Sequence, residues 1–194
     1  FFESYMPLFV AILEIPAILV GILLAKGVSR DTDWKELGRE IFLGKSIMLL
    51  LGGLVIGVLA GKQAIAPLEP LYTSMFKPVL AFFLLEMGLI ASRHLGSLRN
   101  TGLRLAGFAL LFPLFGALVG ALLGDIMGLS VGGITVLATL AASGSYIAVP
   151  AAMRLALPEA NPALSLTASL GITFPFNILF GIPLYLSLAE WLAA

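Results

Sequence analysis

The residues best suited to chemistry lie in one apolar stretch, ITVLATLAASGSYIAVPAAMR, at 134–154. Ser143-Gly144-Ser145 sits near its centre and Pro150 follows. Gly costs about 1 kcal/mol relative to Ala inside a helix. Pro removes a backbone donor and clashes with the preceding turn. Together they predict a broken helix at 131–153, whose freed amides and carbonyls need partners. Breaks of this kind build ion sites: half-helix N-termini face anions, and unwound carbonyls coordinate Na⁺. The competing reading is that Ala, Ser and Gly simply let helices pack closely. On the first reading, the Ser143 and Ser145 hydroxyls and nearby amides hold a small anion, with Na⁺ beside them held largely by carbonyls.

Other polar residues fall in apolar surroundings. Thr167, Thr173 and Asn177 stud the stretch 163–189. Thr173 and Asn177 are four apart and share one helix face, where they either bond a neighbouring helix or line a substrate path. Glu14 lies beside Pro16 in the first apolar stretch. A carboxylate at that depth costs roughly 2–3 kcal/mol or more unless paired or protonated, so it is read either as a coupling group or as half of a structural pair. Glu86 is expected to bond locally or to reach Arg93, and His94 to be solvated in a basic loop.

What the chain lacks is also informative. It has no Cys, which removes disulfides, thiolate metal sites and Cys nucleophiles, and one His, which removes a His-based zinc site. No P-loop, H-E-x-x-H, G-x-S-x-G or Rossmann pattern occurs. The expectation is therefore no enzyme, no organic cofactor and no ATP-driven transport within this chain. Eleven Lys+Arg balance 11 Asp+Glu, so no charge excess points to nucleic acid.

The elements that position these residues are apolar helices. Of 194 residues 60% are apolar and 11% charged, against roughly 45–50% and about 25% in a soluble domain. A bilayer span needs about 20 apolar residues. The gaps between charges give six transmembrane helices, at 4–25, 46–61, 78–92, 105–124, 131–153 and 163–189: an all-α polytopic membrane protein. Lys26, Arg30, Lys35, Arg39, Lys45, Arg93, Arg99, Arg104 and Arg154 fall in loops 26–45, 93–104 and 154–162, against Lys62 and Lys77 opposite. The Lys/Arg bias places those three loops in the cytoplasm and both chain ends outside. In loop 26–45, Asp31 or Asp33 could cap a helix with Trp34, Leu37 and Ile41 on one face. That helix would lie on the membrane surface or dock a soluble regulator. Gly53, Gly57, Gly61 and Gly116, Gly120, Gly124 form small-xxx-small stripes for close packing.

The first and last spans share a pattern. Ile18-Leu19-Val20-Gly21-Ile22 follows Pro16, and Ile178-Leu179-Phe180-Gly181-Ile182 follows Pro175. They run in opposite directions, as an inverted transporter repeat requires. The expected layout is 1–27 as the last helix of a first repeat, 28–45 as a cytoplasmic amphipathic loop, and 46–194 as a second five-helix repeat. The chain then reads as the C-terminal portion of a ten-helix inverted-repeat secondary transporter.

Ala141-Ala142-Ser143-Gly144-Ser145-Tyr146-Ile147-Ala148-Val149-Pro150, Arg154 and Leu157-Pro158-Glu159-Ala160-Asn161-Pro162 resemble the SbtA-type sodium-dependent bicarbonate transporter family. Phe2-Glu3-Ser4-Tyr5 through Glu14-Ile15-Pro16-Ala17-Ile18 looks like that family's fifth helix, so the resemblance covers helices five to ten. It implies Na⁺-coupled bicarbonate uptake across the cytoplasmic (inner) membrane, a homotrimer, and in some members a cytoplasmic PII-like regulator. It carries anion and Na⁺ binding over to Ser143, Gly144, Ser145 and Tyr146. Tyr146 stands where cyanobacterial members typically have Asp. A sodium:organic-anion symporter and a non-transporting membrane anchor for a soluble regulator stay open as alternatives.

Overall fold

The computed structural model describes residues 1–26, 35, 38, 39, 43, 45–95, 98–145 and 157–194. The described residues are helical and contain no strand. Loop 26–45, expected to hold an amphipathic helix that lies on the membrane surface or docks a regulator, lies mostly outside them, as do residues 146–156.

Helix α1 is Met6–Lys26 and carries Pro16 inside it. Helix α2, Lys45–Ile65, breaks at Gly61, whose φ of 68° and ψ of 174° suit a residue without Cβ. There the axis turns by 108° between Leu51–Gly61 and Gln63–Tyr72. Helix α3 is Phe76–Leu95. Helix α4, Leu98–Ile126, has a break at Gly102 and Pro113 within it. Helix α5 is Val131–Ala141, and α6 runs over Ala163–Leu192.

Three helices are long and apolar enough to cross a membrane: Met6–Leu24, Gly102–Ile126 and Ala163–Leu192, with a fourth if the bent pair of α2 is one span. They correspond to the expected spans at 4–25, 105–124 and 163–189. The segment expected to span at 78–92 is helical, but Lys77, Glu86 and Arg93 interrupt its apolar character. Glu86 and Arg93 are both exposed. In the 131–153 segment, α5 has only 11 residues, about 16 Å at 1.5 Å per residue, or half a hydrocarbon core.

The ends of α5 and α6 follow from their capping residues. Ser130 is extended and its side chain accepts from the Gly133 amide at 3.1 Å, an N-cap arrangement. Asn161 does the same for α6, accepting from Ala163 N–H at 3.0 Å with Pro162 just inside the helix. Within α6, Thr167–Thr173 and Asn177–Gly181 are π-helical. Each widened stretch ends two residues before a proline, Pro175 and Pro183. A helical proline cannot bond the carbonyl four residues back, and its ring crowds it; a π-turn relieves that crowding.

The core is built around α5. It gathers Met6 from α1, Ala117 and Ala121 from α4, Ile134, Leu137 and Ala138 from α5, and Tyr185 and Ala189 from α6. Helices α4 and α5 form a hairpin whose close approach depends on bare Cα atoms. A Cβ on Gly120 would lie 2.9 Å from the Leu137 carbonyl oxygen and 2.8 Å from Ala141 Cβ. Gly116 and Gly124 continue the stripe against Ala141 and Ile134. Gly53 and Gly57 of the α2 stripe have open space around them.

Candidate functional site

Helix α5 ends at Ala141, and Ser143–Ser145 lie outside any helix. The last-turn carbonyls of a helix need partners, and here they have them. Ala138 O accepts from Ala142 N–H at 2.9 Å and Leu140 O from Ser143 N–H at 3.1 Å. The Ser143 hydroxyl turns back to Thr139 O at 2.7 Å, a local bond by which serine competes with helix continuation. Ala141 O faces the bare Cα of Gly116.

Two residues on, the Ser145 hydroxyl donates to Glu14 Oε1 at 3.0 Å. Ser145 is half-buried. This hydrogen bond joins the carboxylate of α1 to the segment that follows α5 across 131 positions of sequence. Gly144 lies next to α6: a Cβ there would sit 3.4 Å from Ser169 Cβ. The break is thus bordered by α1 on one side and by the first π-segment of α6 on another.

Thr173 and Asn177 are both buried, at 6% exposure each. Their polar groups meet backbone on two different helices. Thr173 Oγ1 donates to Ala109 O of α4 at 2.7 Å. Asn177 Nδ2 donates to Ala142 O, just past α5, at 2.9 Å. Both groups therefore bond a neighbouring helix. Tyr185 completes the chain by donating to Asn177 Oδ1 at 2.7 Å. Sequence reasoning passed over Tyr185; its signal was a phenol two turns beyond an intramembrane Asn.

The opposite end of α5 also has an unforeseen partner. Glu3 Oε1 accepts from the Ser130 amide at 2.7 Å, and Ser130 Oγ donates to the Phe1 carbonyl at 3.2 Å. The Ser130 amide beside it holds the Glu3 carboxyl below its usual value, although some burial opposes this. An acidic group at a helix N-terminus is stabilised by the amides and dipole there.

Structure thus brings Glu14, Gly144, Ser145 and Asn177 to one end of α5, with Ser143 between them and Thr173 one turn away along α6. Tyr146 lies outside the described residues. Among the described residues no cluster of three or more His, Asp or Glu side chains could hold a resident metal. A groove of about 540 Å³ between the start of α4 and α6 is lined by groups such as Leu103, Ala106, Ile172 and Phe176. It includes none of the polar residues above.

A carboxylate and a serine hydroxyl thus meet just past the short helix α5, in a chain of long apolar helices. A family model for the Na⁺-dependent bicarbonate transporter superfamily matches residues 1–190. The chain belongs to that superfamily. No curated protein matches it. Membership supports a membrane transport function of the bicarbonate class, with Na⁺ as the ion on which the family's transport depends.

Proposed function

We propose that this chain supplies one half of a Na⁺:bicarbonate symporter. In this reading it contributes the last helix of a first repeat and a second five-helix repeat to a ten-helix protein. Six segments cross the cytoplasmic membrane, and loops 26–45, 93–104 and 154–162 face the cytoplasm. The hydrogen bond from Ser145 to Glu14 carries the reading, because it sets an acidic group against the Ser-Gly-Ser break.

The chemistry follows from charge. Bicarbonate and the Glu14 carboxylate repel each other when close. Two like charges 4 Å apart cost about 4 kcal/mol at an effective dielectric of 20 and about 1 kcal/mol in bulk water. Na⁺ arriving at Glu14 removes this repulsion. It meets the other carboxylate oxygen, so Ser145 keeps its hydrogen bond to Oε1 and the break stays presented to α1. The amides of residues 144 and 145, with Tyr146, make up the anion's surroundings, and Ser143 holds the helix end behind them. Thr173 and Asn177 shape the site by fixing α4 and α5 rather than by touching the ions. Sodium therefore binds first, and the coupling is electrostatic.

The test is Na⁺-dependent uptake of labelled bicarbonate by the full-length protein in proteoliposomes. Uptake should appear with the wild type and fall in the Ser143→Ala/Ser145→Ala double variant. Absence of uptake overturns the function, and unchanged uptake in the variant overturns the site. Strong competition by organic carboxylates would reassign the substrate to that class.

A further inference from the structure

We propose that Tyr185 is a positioning residue for the ion site, acting through Asn177 to hold the Ala142 carbonyl and thereby the break that carries Ser145. This rests on the symport reading above. Tyr185 is 1% exposed and the largest of the fully buried side chains. A buried phenol needs an acceptor for its hydroxyl, and here that acceptor is Asn177 Oδ1 at 2.7 Å. The other end of the same amide donates to Ala142 O at 2.9 Å. The orientation of the amide is set by its partners: a carbonyl only accepts, so the nitrogen must face Ala142 and the oxygen must face Tyr185.

Two local features accommodate this run of hydrogen bonds. Asn177–Gly181 is π-helical, a wider turn of the kind often found at functional sites. Gly181 leaves the space that the pair occupies: a Cβ there would lie 2.7 Å from Asn177 Oδ1 and 3.0 Å from Tyr185 OH. Tyr185 is itself locked among Leu137, Ala138 and Ala117 in the core. The chain of bonds therefore links the core around α5 to the first residue after that helix. Ser145 is three residues further on, in backbone with no helical support. With the clamp in place, the Ser145 hydroxyl is presented to Glu14 before any ion arrives, and binding does not have to order it.

The experiment uses full-length protein in proteoliposomes, with the Na⁺ concentration for half-maximal uptake measured separately from the maximal rate. Tyr185→Phe removes one buried hydrogen bond and should raise that Na⁺ concentration on the order of fivefold, with the maximal rate and the bicarbonate KM at saturating Na⁺ near wild type. Gly181→Ala changes neither partner but forces them apart, and should give the same signature. A structural role alone would lower the amount of folded protein and the maximal rate while leaving the Na⁺ dependence unchanged; that result overturns the proposal. Failure of both variants to fold also overturns it. The Na⁺ concentration that half-saturates thermal stabilisation of purified wild type and variants gives an independent reading. If the wild type binds Na⁺ but takes up no bicarbonate, the symport reading falls and the positioning claim is still decided by that shift.

Discussion

Replacing Glu14 by Gln isolates the charge from the geometry of the site. The amide keeps an oxygen that can still accept from Ser145 at the present 3.0 Å, so the contact survives while the negative charge is lost. The attraction between Na⁺ and a carboxylate about 4 Å away ranges from about 1 kcal/mol in bulk water to about 4 kcal/mol at an effective dielectric of 20. Ser145 is half-buried, which places the site between those limits. The lower limit of about 1 kcal/mol is about a fivefold weakening, so Glu14→Gln should raise the Na⁺ concentration for half-maximal uptake at least about fivefold. Bicarbonate meets less repulsion in the same variant, so Na⁺-independent uptake should rise. Ser145→Ala does the reverse: it keeps the charge and removes one hydrogen bond, a few-fold effect. The assay is initial-rate uptake of labelled bicarbonate in proteoliposomes across a Na⁺ series. A Ser145→Ala effect larger than that of Glu14→Gln, or a Na⁺ dependence within about twofold of wild type in Glu14→Gln, would refute electrostatic coupling through Glu14.

Two further outcomes test the fold that holds the site. Gly120→Val places atoms against the Leu137 carbonyl and Ala138 and should cost about 1–3 kcal/mol by overpacking. Gly107→Ala, inside α4 with nothing within 4 Å, should instead stabilise by about 0.5–1 kcal/mol through the helix preference for Ala; thermal unfolding in detergent separates the two. The Glu3 carboxyl, held low by the Ser130 amide, stabilises the fold above its ordinary value of 4.5. That contribution disappears as pH falls through the lowered value. Unfolding followed against pH should show this acid-side loss in the wild type and not in Glu3→Gln.

The apolar, helical character of the chain was legible because composition and charge spacing report it directly. Helix α5 and the Ser-Gly-Ser segment after it were likewise marked by residue type. The partners were not. Glu14 and Ser145 are 131 positions apart, and no local pattern encodes which carboxylate meets which hydroxyl. The π-segments of α6 were missed because sequence periodicity assumes 3.6 residues per turn. Pro175 and Pro183 were the available signal, since a proline inside an apolar span requires some local departure from the α-helix. Glu3 was invisible for another reason: its partner is a backbone amide, which leaves no trace in side-chain spacing.

The bonds at the end of α5 narrow how sodium is held in the proposed site. A half-helix C-terminus offers carbonyls to a cation. Here Ala138, Thr139, Leu140 and Ala142 each already accept a hydrogen bond, and Ala141 O is turned to Gly116. Each of those oxygens keeps a second lone pair, so a cation would share it with a hydrogen bond already made. In the proposed site the unwound residues 143–145 add their carbonyls to those of the helix end, and Glu14 supplies the charged ligand. Sodium affinity then depends on how firmly the break is presented to α1, which is why polar groups that never meet the ion still matter to it.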